Sequence, residues 1–185
     1  FLFAGALIAA SLFSVNSVMA QSTNSSNVKV NLKFKPIMSI TISGSDVTLS
    51  YDKVDDYANG LTTKAIPDHI KIYSTGGFEV KVKAEGNFTR TETGGGDIPV
   101  NDVLIVATAG TGASDNSVYA EKKSLNTTEG GETLVKNATG GVDINYNVEY
   151  DNTAAAKDNR YIDKYIAGDT ESVYSTTVTY FIAAK

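Results

Sequence analysis

Alternation of apolar and polar residues is the main pattern along this chain, and it predicts strands rather than helices. It is clearest in residues 28–35, 78–84 and 142–150, where every second residue is apolar. This period of two places the apolar side chains on one face of a strand and the polar side chains on the other. Shorter or denser apolar stretches predict the remaining strands, at residues 37–42, 47–51, 69–73, 98–107, 118–120, 133–135 and 173–183.

Glycine-rich turns separate these segments and indicate the fold class. Gly76 and Gly77 stand between residues 69–73 and 78–84. Because glycine adopts positive φ readily, we expect a hairpin that pairs these two strands. Besides the segment at residues 28–35, seven to nine strands at short spacing predict an all-β protein, an Ig-like antiparallel β-sandwich with Greek-key connections. Residues 154–166 combine three alanines with spaced Tyr and Ile residues, a pattern that permits one short helix.

The first twenty residues differ from the rest of the chain. Residues 1–20 contain no charge and fifteen apolar residues, and they end in the small-residue sequence Val18-Met19-Ala20. We interpret them as a signal peptide that is cleaved before Gln21, with its short basic beginning missing from this sequence. The apolar core is short for a membrane span. No cysteine follows the cleavage site, so a lipid anchor is not expected. This interpretation predicts export.

The exported part of the chain divides near a proline. Residues 21–27 are polar and rich in Ser and Asn, and the alternating run that follows ends before Pro36. We predict a flexible arm at residues 21–35, which includes a strand-forming segment, and a β-sandwich domain at residues 36–185.

Composition excludes several kinds of chemistry. The chain has no Cys and one His, which excludes disulfides, thiolate metal sites, thiol nucleophiles and two-histidine zinc sites. Its 16 basic and 21 acidic residues give a net charge of −5, which is unfavourable for a nucleic-acid-binding surface. We therefore predict no enzyme activity, no catalytic residue, no cofactor and no nucleic-acid partner.

Three weaker signals concern particular side chains. His69 begins a predicted strand without an identifiable nucleophile, so we interpret it as a structural histidine at an edge or a turn. The acidic segment Asp52–Asn59 lacks the ligand spacing of an EF-hand, so we favour a solvated loop, leave calcium binding open and assign no metal ligand. A tyrosine-rich region is compatible with sugar stacking, but core packing is the favoured interpretation. These tyrosines are Tyr146, Tyr150, Tyr161 and Tyr165.

The two ends of the exported chain carry the clearest functional pattern. The candidate donor-strand residues are Val28, Val30, Leu32 and Phe34. The candidate acceptor-edge residues are Val178, Tyr180 and Ile182. A free alternating segment can add as a strand to the exposed sheet edge of another copy, with main-chain hydrogen bonds supplying affinity. Because donor and acceptor are different surfaces, the contact is head-to-tail and produces a filament.

In this layout the chain resembles bacterial fimbrial, or pilus, subunits of the donor-strand-exchange, chaperone–usher-like type. The resemblance rests on the leader, the arm at residues 21–34, the Thr-, Val- and Gly-rich body and the terminal strand at residues 176–185. It implies that the arm is the donor strand and that a periplasmic chaperone holds the C-terminal strand until assembly at an outer-membrane usher. It further implies a head-to-tail homopolymer at the cell surface that supports adhesion, with a host or surface glycan as a candidate ligand.

A stand-alone secreted or surface-attached β-sandwich that binds a glycan or a protein is the alternative. In such a protein, residues 28–34 would pair within their own sheet, which is the ordinary fate of an alternating segment. Hydrophobic alternation leaves this choice open, because the ladder of hydrogen bonds is the same within a chain and between chains.

Overall fold

The computed structural model of the chain describes residues 24–113 and 116–185. The predicted signal peptide, residues 1–20, lies outside the described residues. The chain divides into two units, one ending at Phe34 and the other running from Lys35 to Lys185. Within the described part of the first unit, and up to residue 37, no helix or strand is formed.

Nine strands occur in the described residues, with one short α-helix and two single-turn 3-10 helices. The helix α1 spans Val54–Asn59, and the 3-10 turns span Val100–Asp102 and Lys157–Asn159. The strands are β1 (Met38–Ile42), β2 (Ile66–Ser74), β3 (Phe78–Ala84), β4 (Leu104–Ala109), β5 (Ser117–Tyr119), β6 (Lys123–Ser124), β7 (Glu132–Asn137), β8 (Gly141–Asp151) and β9 (Val178–Ala184).

The strands form two antiparallel sheets, and the predicted all-β sandwich class is confirmed. One sheet has the order β1-β2-β8-β4-β6 and the other has the order β5-β7-β3-β9. From β3 onward, each strand lies in the sheet opposite to the strand before it, so every connection after β2 crosses between the sheets. The first and last strands, β1 and β9, each end a sheet and lie next to each other on one side of the sandwich.

The predicted hairpin between residues 69–73 and 78–84 is wrong, although both strands exist. β2 pairs with β1 and β8, whereas β3 pairs with β7 and β9 in the other sheet. The turn between β2 and β3 therefore joins the two sheets. Gly76 and Gly77, which lie in this turn, do not adopt positive φ. A connection that crosses from one sheet to the other, here called an arch, has the same local sequence pattern as a hairpin. In an arch, however, the two strands lie in different sheets, and their apolar faces approach one core from opposite sides.

The predicted third strand at residues 47–51 is also wrong. β1 stops at Ile42, Gly44 has φ of 80°, and residues 45–53 form neither a strand nor a helix. Alternation alone does not make a strand, because a strand also needs a neighbour that accepts its backbone hydrogen bonds. Among the described residues, no such neighbour pairs with this segment.

The short helix occurs at a different place from the one the sequence permits. Residues 154–166 contain only the 3-10 turn and irregular turns, because Asp158 and Asn159 both have φ of 59°, which is incompatible with a right-handed helix. The α-helix is α1, in the acidic segment. It is capped by Asp56, whose carboxylate accepts the backbone N–H groups of Asp52 and Lys53 at 2.9 and 2.8 Å.

The core lies between the sheets and is built by the inward positions of the long strands. β3 alternates between buried and half-buried residues along its whole length, and β8 does so over its second half, as their sequence pattern predicts. The largest apolar side chains that are completely buried are Phe78, Ile70, Ile72, Ile105 and Tyr146. Removing such side chains costs both the transfer free energy and a cavity.

We expect Phe78→Ala to lower the free energy of unfolding by about 3–5 kcal/mol, because Phe78 is completely buried between the sheets. Denaturant unfolding of dilute protein measures the change. Val54→Ala is the control, because Val54 is 82% exposed on α1 and its substitution should change stability by less than about 0.5 kcal/mol. Equal effects of the two substitutions would contradict the described core.

Candidate functional site

The candidate donor residues are all exposed. Val28, Val30, Leu32 and Phe34 expose 84%, 80%, 79% and 90% of their surface, respectively. The segment that contains them forms no strand in the described structure, although its alternation is as regular as that of β3. The segment therefore carries four large apolar side chains that the described structure leaves uncovered.

The candidate acceptor residues form the inner face of β9. Val178, Tyr180 and Ile182 are half-buried against the core, opposite Ala84, Val82 and Val80 of β3 in the strand register. β9 is the end strand of its sheet, so the edge that faces away from β3 has no strand partner among the described residues. β9 therefore lies at a sheet edge, with the apolar side chains of Val178, Tyr180 and Ile182 packed against the core.

A large cleft opens beside β9. Its volume is about 1670 Å³, and it lies between the end of β1 at Ile42, the segment 44–52 and the chain that leads into β9 at residues 170–180. Side chains of the core form part of its lining, including the buried Val103, Leu125 and Tyr150. The cleft thus gives access to the interior of the sandwich at the side where both end strands lie.

Segment 44–52 is fixed at its two ends. Before it, the backbone N–H of Ser43 donates to the carbonyl of His69 at 2.8 Å. At its far end, Asn152 Nδ2 donates to the Tyr51 hydroxyl at 2.6 Å, and the Tyr51 ring contacts the rings of Tyr57 and Tyr161. Burial raises the pKa of Tyr51 to about 12, so this hydroxyl is neutral at physiological pH. The segment forms one wall of the cleft without belonging to a sheet.

Tyr180 connects the two sheets inside the cleft. A short hydrogen bond joins its hydroxyl to the Tyr150 hydroxyl on β8, and its ring meets the His69 ring of β2 edge to face, with centroids 5.7 Å apart. Burial raises the pKa of both tyrosines above the ordinary value, so both stay neutral. These contacts hold β9 against the first sheet.

His69 is buried in the cleft wall and is neutral. It is 4% exposed, and its Nδ1 has no hydrogen-bond partner in the described parts of the chain. Burial lowers the pKa of His69. A hydrogen bond between this side chain and the Ser43 backbone acts in the opposite direction, but its effect is smaller. The sequence predicted a structural histidine at an edge or a turn, whereas His69 lies inside β2, an inner strand of its sheet. The sequence contained no signal for its contact with Tyr180.

An ion pair between the buried Arg90 and the partly exposed Asp169 joins two loops at the rim of the cleft. The Arg90 side chain is 2% exposed, and its Nη2 donates to Asp169 Oδ2 at 2.7 Å and to Glu92 Oε2 at 3.3 Å. Asp169 Oδ2 also accepts the Ser172 hydroxyl at 2.6 Å. Arg90 and Asp169 lie next to Thr89 and Thr170, which line the cleft. This pair therefore determines how the loop after β3 and the loop before β9 meet.

The other candidate chemistry does not assemble into a site. Asp56 caps α1, and no group of three His, Cys, Asp or Glu residues that could hold a metal ion occurs within residues 24–113 and 116–185. Tyr146, Tyr150 and Tyr161 are buried, whereas Tyr165 is 52% exposed, so the four tyrosines do not form one exposed stacking surface. Over the same described residues, no helix is long and apolar enough to cross a membrane.

Comparisons with known proteins leave the geometry as the basis for a functional conclusion. The chain matches none of the protein-family models and none of the curated proteins.

We expect Asp169→Ala to lower the free energy of unfolding by about 3 kcal/mol, because it leaves the buried Arg90 charge without its closest partner. Lys71→Ala is the matched control. It breaks the Lys71–Asp143 pair, whose side chains are 55% and 66% exposed, and should cost less than about 1 kcal/mol. Similar losses in both variants would show that the Arg90 pair is not a structural element of the rim.

We expect stability to fall as the pH is lowered from 7 to 5, partly through His69. Its folded-state pKa lies below the unfolded-state value of about 6.5, so the unfolded state binds more protons over this range. The contribution of neutral His69 is complete above that unfolded-state value and is lost as the pH falls. His69→Phe keeps an aromatic ring and should flatten the pH dependence of the thermal midpoint. An unchanged slope would contradict a buried neutral imidazole, since the chain has no other His.

Proposed function

We propose that the chain is a structural subunit of a bacterial surface filament. In this assembly, residues 28–34 of one copy add as a strand to the free edge of β9 in the next copy. The filament is exported through the periplasm and supports adhesion at the cell surface. The observation that carries the proposal is that, within residues 24–113 and 116–185, the chain has both an alternating segment without a strand partner and an end strand without a second neighbour.

The two surfaces agree in length and in chemistry. Val28–Phe34 and β9 each contain seven residues, which corresponds to a strand about 24 Å long. The segment offers apolar side chains at every second position, and the cleft beside β9 reaches apolar core residues. Strand addition would place backbone hydrogen bonds on the free edge of β9 and bury the alternating side chains, which is the usual basis of such recognition.

The geometry of strand addition supports a filament rather than a closed dimer. The donor lies near the beginning of the exported chain and the acceptor is its last strand, so the two contact surfaces are different. A contact between different surfaces leaves one donor and one acceptor free after each addition, and repeated addition produces an open polymer. Each copy also has an exposed edge until it assembles, which supports a role for a periplasmic chaperone as a protecting partner and an outer-membrane usher as the assembly site.

We expect the chain from Gln21 to form polymers that resist SDS without boiling. The variant V28S/V30S/L32S/F34S should remain monomeric, because it loses the four side chains that fill the acceptor. The matched control is V54S/V118S/V142S/I162S, which changes four residues that are 66–82% exposed and lie outside the cleft. Sedimentation velocity and unboiled gels measure the size distribution.

Two results would contradict the proposal. One is a chain that stays monomeric at high concentration and unfolds as a single unit. The other is an equal loss of polymer in the arm variant and in the control variant. The first result would favour a stand-alone binding module, and screening of glycan and protein ligands would follow.

A further inference from the structure

The rim of the cleft is acidic. Five exposed carboxylates belong to its lining, and they are Asp46, Asp52, Glu85, Asp97 and Glu171. Among the described lining residues, Lys164 is the only Lys or Arg. Its Nζ donates to the backbone carbonyls of Gly95 and Asp97, at 2.7 and 3.5 Å, rather than to a rim carboxylate.

These carboxylates are not neutralised by the chain that surrounds them. None of the five forms an ion pair in the described structure, whereas acidic groups elsewhere do. Examples are Asp143 with Lys71, Glu149 with Lys122 and Glu79 with Lys136. The negative charge of the rim is therefore directed to solvent and can act on an approaching molecule.

The cleft contains a second, independent sign that it is made to be covered. His69 lines the cleft, is 4% exposed, and has an Nδ1 without a hydrogen-bond partner in the described residues. A buried polar atom without a partner is unfavourable and rare in native proteins, so its position in the cleft wall calls for an explanation, such as a group that binds there.

The arm has the opposite charge on its outward face. When its apolar residues face an acceptor, the alternate positions Lys29, Asn31, Lys33 and Lys35 face away from the core. Residues 21–35 contain three lysines and no acidic residue. The chain has 16 basic and 21 acidic residues in total, and residues 1–20 carry none, so residues 36–185 hold 13 basic and 21 acidic residues. The arm thus carries +3 and the domain −8.

We propose that the acidic rim selects a strand with a basic outer face, and that Lys29, Lys33 and Lys35 of a second copy supply it. This inference rests on the proposed function and specifies what the acceptor recognises besides apolar side chains. The rim attracts the lysines before the strand is inserted, which accelerates the encounter. It also repels strands with acidic outer faces, which gives the acceptor specificity for its own arm.

The first test compares assembly rates, followed by light scattering, at about 0.02 M and about 0.3 M salt. We expect the chain from Gln21 to assemble about tenfold faster at the lower salt concentration, as steered association does. The variant K29Q/K33Q/K35Q should lose most of this advantage. The matched control K64Q/K123Q/K157Q removes three exposed lysines outside the cleft and should change the rate less than about twofold.

The second test uses charge reversal and rescue. We expect K29E/K33E/K35E to prevent assembly at low salt, and E85K/D97K/E171K to do the same from the rim side. A chain that carries all six reversals should assemble again, because attraction is restored with opposite signs. Thermal midpoints of the three variants verify that each domain is folded, and E85Q/D97N/E171Q serves as a milder rim variant.

The outcomes separate this inference from the proposed function. If the wild-type chain polymerises and depends on its apolar arm residues, but the lysine variants assemble at the wild-type rate, the filament stands and charge selection is overturned. The chain with all six reversals must also regain assembly. If it is folded but fails to assemble, as the arm variant and the rim variant do, charge selection is overturned as well. A wild-type chain that never polymerises would overturn both.

Discussion

The structure depends on how two sheets end. β1 and β9 are the end strands of different sheets, and they lie on the same side of the sandwich. A backbone N–H or C=O at a sheet edge needs a partner or water, and apolar side chains beside it need cover. On this side neither need is fully met by the described residues, because β9 has one strand neighbour and the cleft leads to buried side chains. The cleft, its acidic rim and the proposed acceptor all follow from this incomplete edge.

The exposed edge nevertheless has a defined shape before any partner arrives. Tyr180 is held by Tyr150 and His69, and the loops on either side are joined through Arg90 and Asp169. Preorganisation of this kind lowers the cost of binding, because fewer side chains must be ordered when a strand is added. With no cysteine in the chain, packing and hydrogen bonds rather than disulfides must maintain this shape.

The sequence predicted the strands better than their partners. Alternation located β3 and β8 closely, because burial on one face imposes the period of two whatever the neighbouring strand is. The same pattern could not show that β2 and β3 belong to different sheets, since an arch and a hairpin differ only in long-range pairing. It also failed for residues 47–51, which alternate but pair with no strand in the described part of the chain. Alternation placed Val178, Tyr180 and Ile182 on one face of a strand. The cleft wall at residues 44–52 and the contact between His69 and Tyr180 could not be predicted, because they depend on residues far apart in the chain.

The measurement that tests the central claim most directly is a disulfide between two differently labelled copies. The chain has no cysteine, so one copy can carry only Thr179→Cys, on the outward face of β9, while the other carries one cysteine at position 29, 31 or 33. A disulfide forms only where Cα atoms approach within about 7 Å. The account predicts a mixed disulfide for at least one arm position and none when Val142→Cys on β8 replaces the β9 cysteine. If none of the three arm positions cross-links under oxidising conditions and the two labelled copies remain separate monomers, the claim that the arm of one copy pairs with β9 of another is contradicted.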